Sequence, residues 1–431
     1  MVRHIAVIWW GAAGMICATT IIEQAVSMWV AHQLKIDLYE KNNQLWAKVV
    51  ISGWGRCNVT TWTFKRKELL THYTRGSEFL DQVFRTFWPK KVQARFESHW
   101  VPLKQEADGR IFPVSDDGHD IVEVFERVFD TYSSIVDVRY KQSVEHVTPS
   151  PWWGCTVTVS GTNHQYDQIC IATWGQAYAH TWSTWDGYAF ARECGHTITP
   201  LWPSLNSFVC TQKRIHDCTG ISFSNARLHI LSWATAKHSW PVLLTHFGVS
   251  GPHAFVVASH SAFDEVSEAK PLTVRLQPHA DKDLQRRDKF LIEHSFSEPK
   301  KQLSTILSYE LPKRFVEGYC STLSWVWVST ATPIGTLSKQ QRKQIVADLW
   351  WWVELTFIKR RAWDEFVTAG WVVTDEVDKK TMESKLTPWV YFAWEVLNVD
   401  GVTWGYNLQA SRATWRAAGI AMVNSHLANQ S

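Results

Sequence analysis

The chain has 431 residues, 45% hydrophobic and 20% charged, with a formal net charge of +3. That is a globular composition, long enough for two or three domains with large cores. So small a net charge gives no strong field for nucleic acid, and no nucleic-acid partner is expected. No apolar stretch reaches the roughly 18 residues of a transmembrane helix. The N-terminal segment lacks a basic region leading into an uninterrupted apolar core, so no signal peptide is read. The eight cysteines contain no C-x-x-C pair. They read as scattered core thiols of a reducing compartment, which excludes a disulfide frame or zinc site and points to the cytoplasm.

Residues 5–8, Ile-Ala-Val-Ile, form the first expected strand. They run into Trp9, Trp10, Gly11, Ala12, Ala13 and Gly14, then an apolar helix-like run. Residues 35–39 form a second strand that ends in Glu40. Strand, tight turn, helix, strand, acid is the plan of a dinucleotide-binding unit. In its G-x-G-x-x-G turn the first glycine permits the tight bend, the second lets backbone N–H groups approach a pyrophosphate, and the third lets helix and strand pack closely. Gly11 and Gly14 hold the second and third places, but Trp9 holds the first. Glu40 is placed to accept hydrogen bonds from an adenosine ribose.

Further along, helical periodicity is expected near 66–99 and 118–132, and strands at 135–138, 143–147, 155–159 and 166–171. The run Gln168-Ile169-Cys170-Ile171-Ala172 reads as a buried parallel strand. Short alternating runs at 227–231 and 271–276 suggest a β-domain across 201–280. Residues 283–294, 303–311 and 339–349 are charged and helical in period. Residues 354–358 return to a strand pattern, and 406–418 read as a closing helix. No internal repeat is visible.

After Glu40-Lys41-Asn42 come Leu45-Trp46-Ala47-Lys48 and then Ile51-Ser52-Gly53-Trp54-Gly55-Arg56-Cys57-Asn58-Val59-Thr60. Later runs are Gly109-Arg110-Ile111-Phe112-Pro113-Val114-Ser115, Ala172-Thr173-Trp174-Gly175, Ser183-Thr184-Trp185-Asp186-Gly187-Tyr188 and Thr245-His246-Phe247-Gly248-Val249-Ser250-Gly251-Pro252. Near the end stand Thr368-Ala369-Gly370-Trp371-Val372, Met382-Glu383-Ser384-Lys385, Phe392-Ala393-Trp394-Glu395, Asp400-Gly401 and Thr403-Trp404-Gly405-Tyr406-Asn407-Leu408-Gln409. In this order the motifs resemble the YhiN/BaiN-like FAD-dependent flavoprotein oxidoreductases over essentially the whole chain. The departures are systematic. Judged by the motifs, family glycines are tryptophan at 9, 10, 46, 54, 174, 182, 185, 371, 389, 394, 404 and 415. The chain holds 27 Trp and only 21 Gly, where about 30 glycines would be usual. Gly and Trp codons can differ by a single base.

The resemblance implies an α/β fold. A Rossmann-like FAD-binding domain would be built from both chain ends (1–200 and 364–431). A β-rich domain (201–280 and 351–363) and a small helical domain (281–350) would be inserted. It implies FAD as cofactor, NAD(P)H as a candidate reductant and a small organic substrate. The cofactor-binding set it implies is Gly11, Ala12, Ala13, Gly14, Glu40, Lys41, Lys48, Ser52, Gly53, Gly55, Arg56, Cys57, Asn58, Val144, Thr173, Gly175, Gly370, Glu395, Asp400, Gly405, Tyr406, Asn407 and Leu408. Flavins carry their own redox chemistry, so the protein binds and tunes. No side chain is assigned a catalytic role, and no metal is expected. Arg56 would offset phosphate charge. Cys57, with no second cysteine near it, reads as a buried structural thiol. Glu395 would take ribityl hydroxyls. The helix start at Gly405–Leu408 would face the flavin's pyrimidine edge. His246 reads as structural. The rival reading is a cofactor-free protein of the same architecture, its site blocked by the tryptophans.

Overall fold

The computed structural model describes residues 2–9, 12–44, 55–106, 109–150, 152–173, 175, 186–230, 239–280, 284–319, 328–351, 353–361 and 365–428. The expected site residues Gly11, Lys48, Ser52 and Gly53 lie outside them, as do Trp10, Trp46, Trp54, Trp174, Trp182 and Trp185. The chain divides into two compact units, Met1–Pro203 with Phe366–Ser431, and Ser204–Glu365.

The first unit is built on a five-stranded, all-parallel sheet. Its order is Val390–Phe392, Gln168–Ala172, Arg3–Trp9, Leu34–Glu40 and Val136–Tyr140. Ile5, Ala6, Val7 and Ile8 are fully buried, as are Ile169, Cys170 and Ile171. A parallel sheet covered on both faces requires such continuous apolar runs. The opening helix Ala12–Ser27 and the closing helix Trp404–Ala428 pack along each other. Gly419 permits this approach, because a Cβ there would stand 3.1 Å from the Cys17 carbonyl oxygen. The closing helix is longer than its sequence pattern suggested. The 166–171 run is two strands, Thr162–Tyr166 and Gln168–Ala172, broken at Asp167. Asp167 accepts from the His4 N–H at 2.7 Å.

A buried hydrogen-bonded chain fixes a second part of this unit. His196 bonds Glu376 Oε2 through Nδ1 at 3.1 Å and Ser384 Oγ through Nε2 at 2.7 Å. Ser384 Oγ also accepts from the Leu386 and Thr387 N–H groups. This pins the Met-Glu-Ser-Lys turn, and burial lowers the His196 pKa.

The second unit is a closed six-stranded barrel. Its strands, in order around the barrel, are Phe208–Cys210, Gly248–Ser250, Trp240–Leu244, Ser222–Ile230, Leu272–Gln277 and Val353–Arg360. Closure leaves no open edge to pair with other chains. Helices Leu284–Ser297, Leu303–Leu307, Lys313–Tyr319 and Lys339–Val346 share one core with it, through Leu291, Leu307, Phe315 and Ile345. Ser338 and Gln341 form a capping box at the last of these. The run expected to be helical to 311 stops at Leu307 and continues as a turn to Pro312.

Candidate functional site

The C-terminal ends of the parallel strands come level with one another. Trp9 pairs with Glu40 on one side and Ala172 on the other. Ligands of open parallel sheets bind at this edge. Ala12, Ala13 and Gly14 open the helix that follows. Glu40 is buried, and one carboxylate oxygen accepts the Asn42 N–H at 2.7 Å. Its carbonyl accepts from the Gln142 N–H, which leads into the strand Val144–Pro149, where Val144 is buried against Val159. Lys41 lies 4.0 Å from Asp186.

Beyond Ala172 and Thr173, Gly175 meets Glu395 from the other arm of the unit. The Gly175 N–H donates to Glu395 Oε2 at 2.9 Å, and Thr173 and Glu395 are both buried. Trp371, which follows Gly370, lies in the same cluster. Its indole N–H donates to the Thr368 carbonyl, and its ring sits 4.2 Å from that of Tyr188. A Cβ at Gly175 would come within 2.5 Å of that indole. Burial, then the nearby Glu395, raises the Tyr188 pKa.

The third element is the loop Gly55–Thr60 docked on the start of the closing helix. Cys57 and Asn58 are buried, Cys57 with φ +56°. Thr60 Oγ1 donates to Gln409 Oε1 at 2.6 Å, and Gln409 Nε2 donates to the Phe87 carbonyl. A Cβ at Gly405 would stand 3.2 Å from Asn58 Nδ2. Tyr406 stacks on His72 at 4.3 Å, and its carbonyl accepts from the Tyr73 hydroxyl at 2.7 Å. Burial raises the pKa of both tyrosines. Arg412, one turn past Leu408, is buried, and its pKa falls to about 10.

Several of the expected site residues also have partners within the chain. Arg56 pairs with Glu106 and, at 3.4 Å, with Asp116, and lies over the Phe112 ring. Its hydrogen bond to Glu106 raises its pKa. Asp400 accepts a two-pronged bond from Arg75. Both Asn407 donor bonds stay within its own turn, to the Gly401 and Thr403 carbonyls, while its oxygen accepts the Gly401 N–H. Thr60, Arg75, Tyr188 and Arg412 join the site without having been singled out in the sequence. Thr60, Tyr188 and Gln409 carried a signal through their places in the quoted motif runs, whereas Arg75 and Arg412 carried none. Among the described residues no cluster of metal-ligating side chains occurs, and no helix is long and apolar enough to cross a membrane.

A parallel sheet with an acid-terminated second strand defines a Rossmann-type dinucleotide-binding protein. The chain matches the HI0933-like protein Rossmann domain over residues 3–421 and belongs to that family, the flavoprotein family its motifs resemble. It is 25% identical over 422 residues to the 3-dehydro-bile acid delta(4,6)-reductase of Clostridium scindens, covering 97% of this chain and 98% of that one. It is 26% identical over 424 residues to the ribosomal RNA dihydrouridine synthase of Haemophilus influenzae, covering 96% of each. Sdh1 of Mycobacterium smegmatis is a solved structure with a TM-score of 0.47 and 12% identity, covering 99% of this chain and 69% of Sdh1.

Proposed function

We propose that this chain is an FAD-dependent oxidoreductase that delivers hydride to a small organic substrate bearing an activated carbon–carbon double bond, with NAD(P)H as reductant. The observation that carries the reading is the buried Glu40 at the strand end paired with Trp9. A carboxylate is kept there, at the cost of desolvation, where an adenosine ribose would offer hydroxyl donors. Two further buried groups suit a bound dinucleotide. Asn58 Oδ1 and Thr173 Oγ1 have no hydrogen-bond partner among the described residues. Orphaned polar atoms of this kind call for a ligand or water.

Bound FAD supplies the hydride chemistry. The protein's part is to hold and shield. Glu40 orients the adenosine end, Gly14 and the start of the opening helix receive phosphate, and Gly405 and Tyr406 present the N-terminus of the closing helix to the ring system. Glu395 holds the Gly175 backbone in place. The substrate class rests on the two relatives, whose names both describe reduction of a double bond. The rival, cofactor-free reading is favoured by one observation: the Trp371 indole lies against Gly175.

The test is the visible spectrum of the purified chain after incubation with FAD and desalting. The reading expects a flavin band near one per chain. That band should bleach with NAD(P)H under anaerobic conditions and return on adding a steroid enone. Return only with a uracil-containing RNA would move the substrate to RNA. A folded chain without the band would establish the cofactor-free reading.

A further inference from the structure

Among the described residues, ten non-glycine positions have positive φ, and four of them are tryptophan: Trp29 (+59°), Trp100 (+68°), Trp371 (+147°) and Trp389 (+71°). Tryptophan is 27 of 431 residues, so the share is far above its abundance. Positive φ brings Cβ against the backbone, and for a bulky residue it is a genuine outlier.

Two of the four sit in one recurring motif. After the opening helix, the Trp29 N–H bonds the Val26 carbonyl and the Val30 N–H bonds the Ala25 carbonyl. After the helix Pro89–Ser98, the Trp100 N–H bonds Glu97 and the Val101 N–H bonds Phe96. This pair of bonds is the Schellman helix stop, whose left-handed residue is usually glycine. The same chain supplies the control. After the helix Asp186–Glu193, Gly195 bonds Arg192 and His196 bonds Ala191, with Gly195 at φ +83°. Burial does not account for the indoles at the other two stops, since Trp29 is 88% and Trp100 90% exposed. Trp371 and Trp389 stand where the motifs have glycine, whereas Trp29 and Trp100 were found by backbone alone.

We propose that these four tryptophan positions are glycine in the working protein, because their codon is UGA and the source cell decodes it as glycine. UGA is read as tryptophan under some genetic codes and as glycine under another. One decoding event accounts for every position at once, where separate base changes would need a dozen coincidences. The same decoding at Trp9, Trp10, Trp54, Trp174 and Trp404 completes the glycines of the phosphate turn, the loop before Arg56 and the start of the closing helix. It also removes the indole beside Gly175.

The test reads the gene and the protein, and it is independent of whether FAD binds. Codons 29, 100, 371 and 389 are expected to be UGA. Peptides of the chain purified from its source cells are expected to carry glycine there. UGG codons, or tryptophan in those peptides, overturn the proposal. A recombinant pair adds a physical readout. The quadruple variant Trp29→Gly, Trp100→Gly, Trp371→Gly, Trp389→Gly is expected to gain several degrees in Tm over the chain as written, and Gly195→Trp to lose several. No gain in the first, alongside a loss in the second, would show that the indoles are accommodated and would overturn the glycine assignment.

Discussion

The two units differ in the carboxylates they bury. Among the described residues the barrel unit buries no carboxylate, though it buries polar groups such as His253, Ser259 and Gln277. Phe208, Val242, Leu276, Leu355 and Phe357 are fully buried in its core, and Phe208 stacks on Phe357 at 4.5 Å. In the sheet unit, by contrast, the carboxylates Glu40, Glu395 and Asp400 are buried, as are Thr173 and Asn407. Polar burial costs free energy unless each group finds a partner. A region that concentrates buried acids is suited to binding, while a region without them is suited to stability.

Three perturbations separate these roles, and a fourth reads both units together. Phe208→Ala should have the largest effect, a loss of about 3–5 kcal/mol in urea unfolding from a cavity in the barrel core. Flavin content per folded chain should not change, and a drop in it would break the division of labour. Arg75→Ala should come next. It leaves Asp400 charged and buried without its two-pronged partner, which costs about 3 kcal/mol or more. A double change with Asp400→Asn should recover part of that loss. Glu40→Gln should weaken FAD binding by about 1.5–3 kcal/mol, read by titration, with little change in melting temperature. Equal affinity would show that the acid holds only its own turn.

The smallest effect is a pH dependence common to both units. Burial lowers His253 to about 3 in the barrel unit and lowers His196 in the sheet unit. An unfolded chain binds these protons near pH 6.5, so the unfolded state binds more protons than the folded state below that pH. Stability should be full above about pH 6.5 and decline as pH falls, the His253 share levelling near pH 3. Urea midpoints at pH 7 and pH 5 would show it, and His253→Gln should flatten the slope. A midpoint unchanged between the two pH values would show that neither imidazole resists its proton.

The sheet was legible because its strands are continuous apolar runs and its second strand ends in an acid. The run 155–159 matches the strand Cys155–Val159 residue for residue. The barrel's closure was not legible, because register between short alternating strands depends on partners far away in sequence. The site divided along the same line. Glu40 and the Cys57–Thr60 loop announce themselves in local motifs. The Arg75 pair with Asp400 joins residues 325 apart, and nothing local to either predicts the other. Arg56 was read as a phosphate ligand because its motif suggested one. Its acids, Glu106 and Asp116, lie in another stretch of chain.

The first unit's discontinuity sets an order of assembly during synthesis. Ser204–Glu365 is one uninterrupted stretch, so the barrel has all its residues while the rest is still being made. The opening helix must wait for its partner, the closing helix. Thr60 finds Gln409 only 349 residues later, and the closing helix is what covers the opening one. Domains generally fold as units while the chain emerges. The packing of the closing helix is thus the last part of this protein to form, and a ribosome that stops short of residue 404 leaves every strand of the parallel sheet made but its opening helix without its long partner.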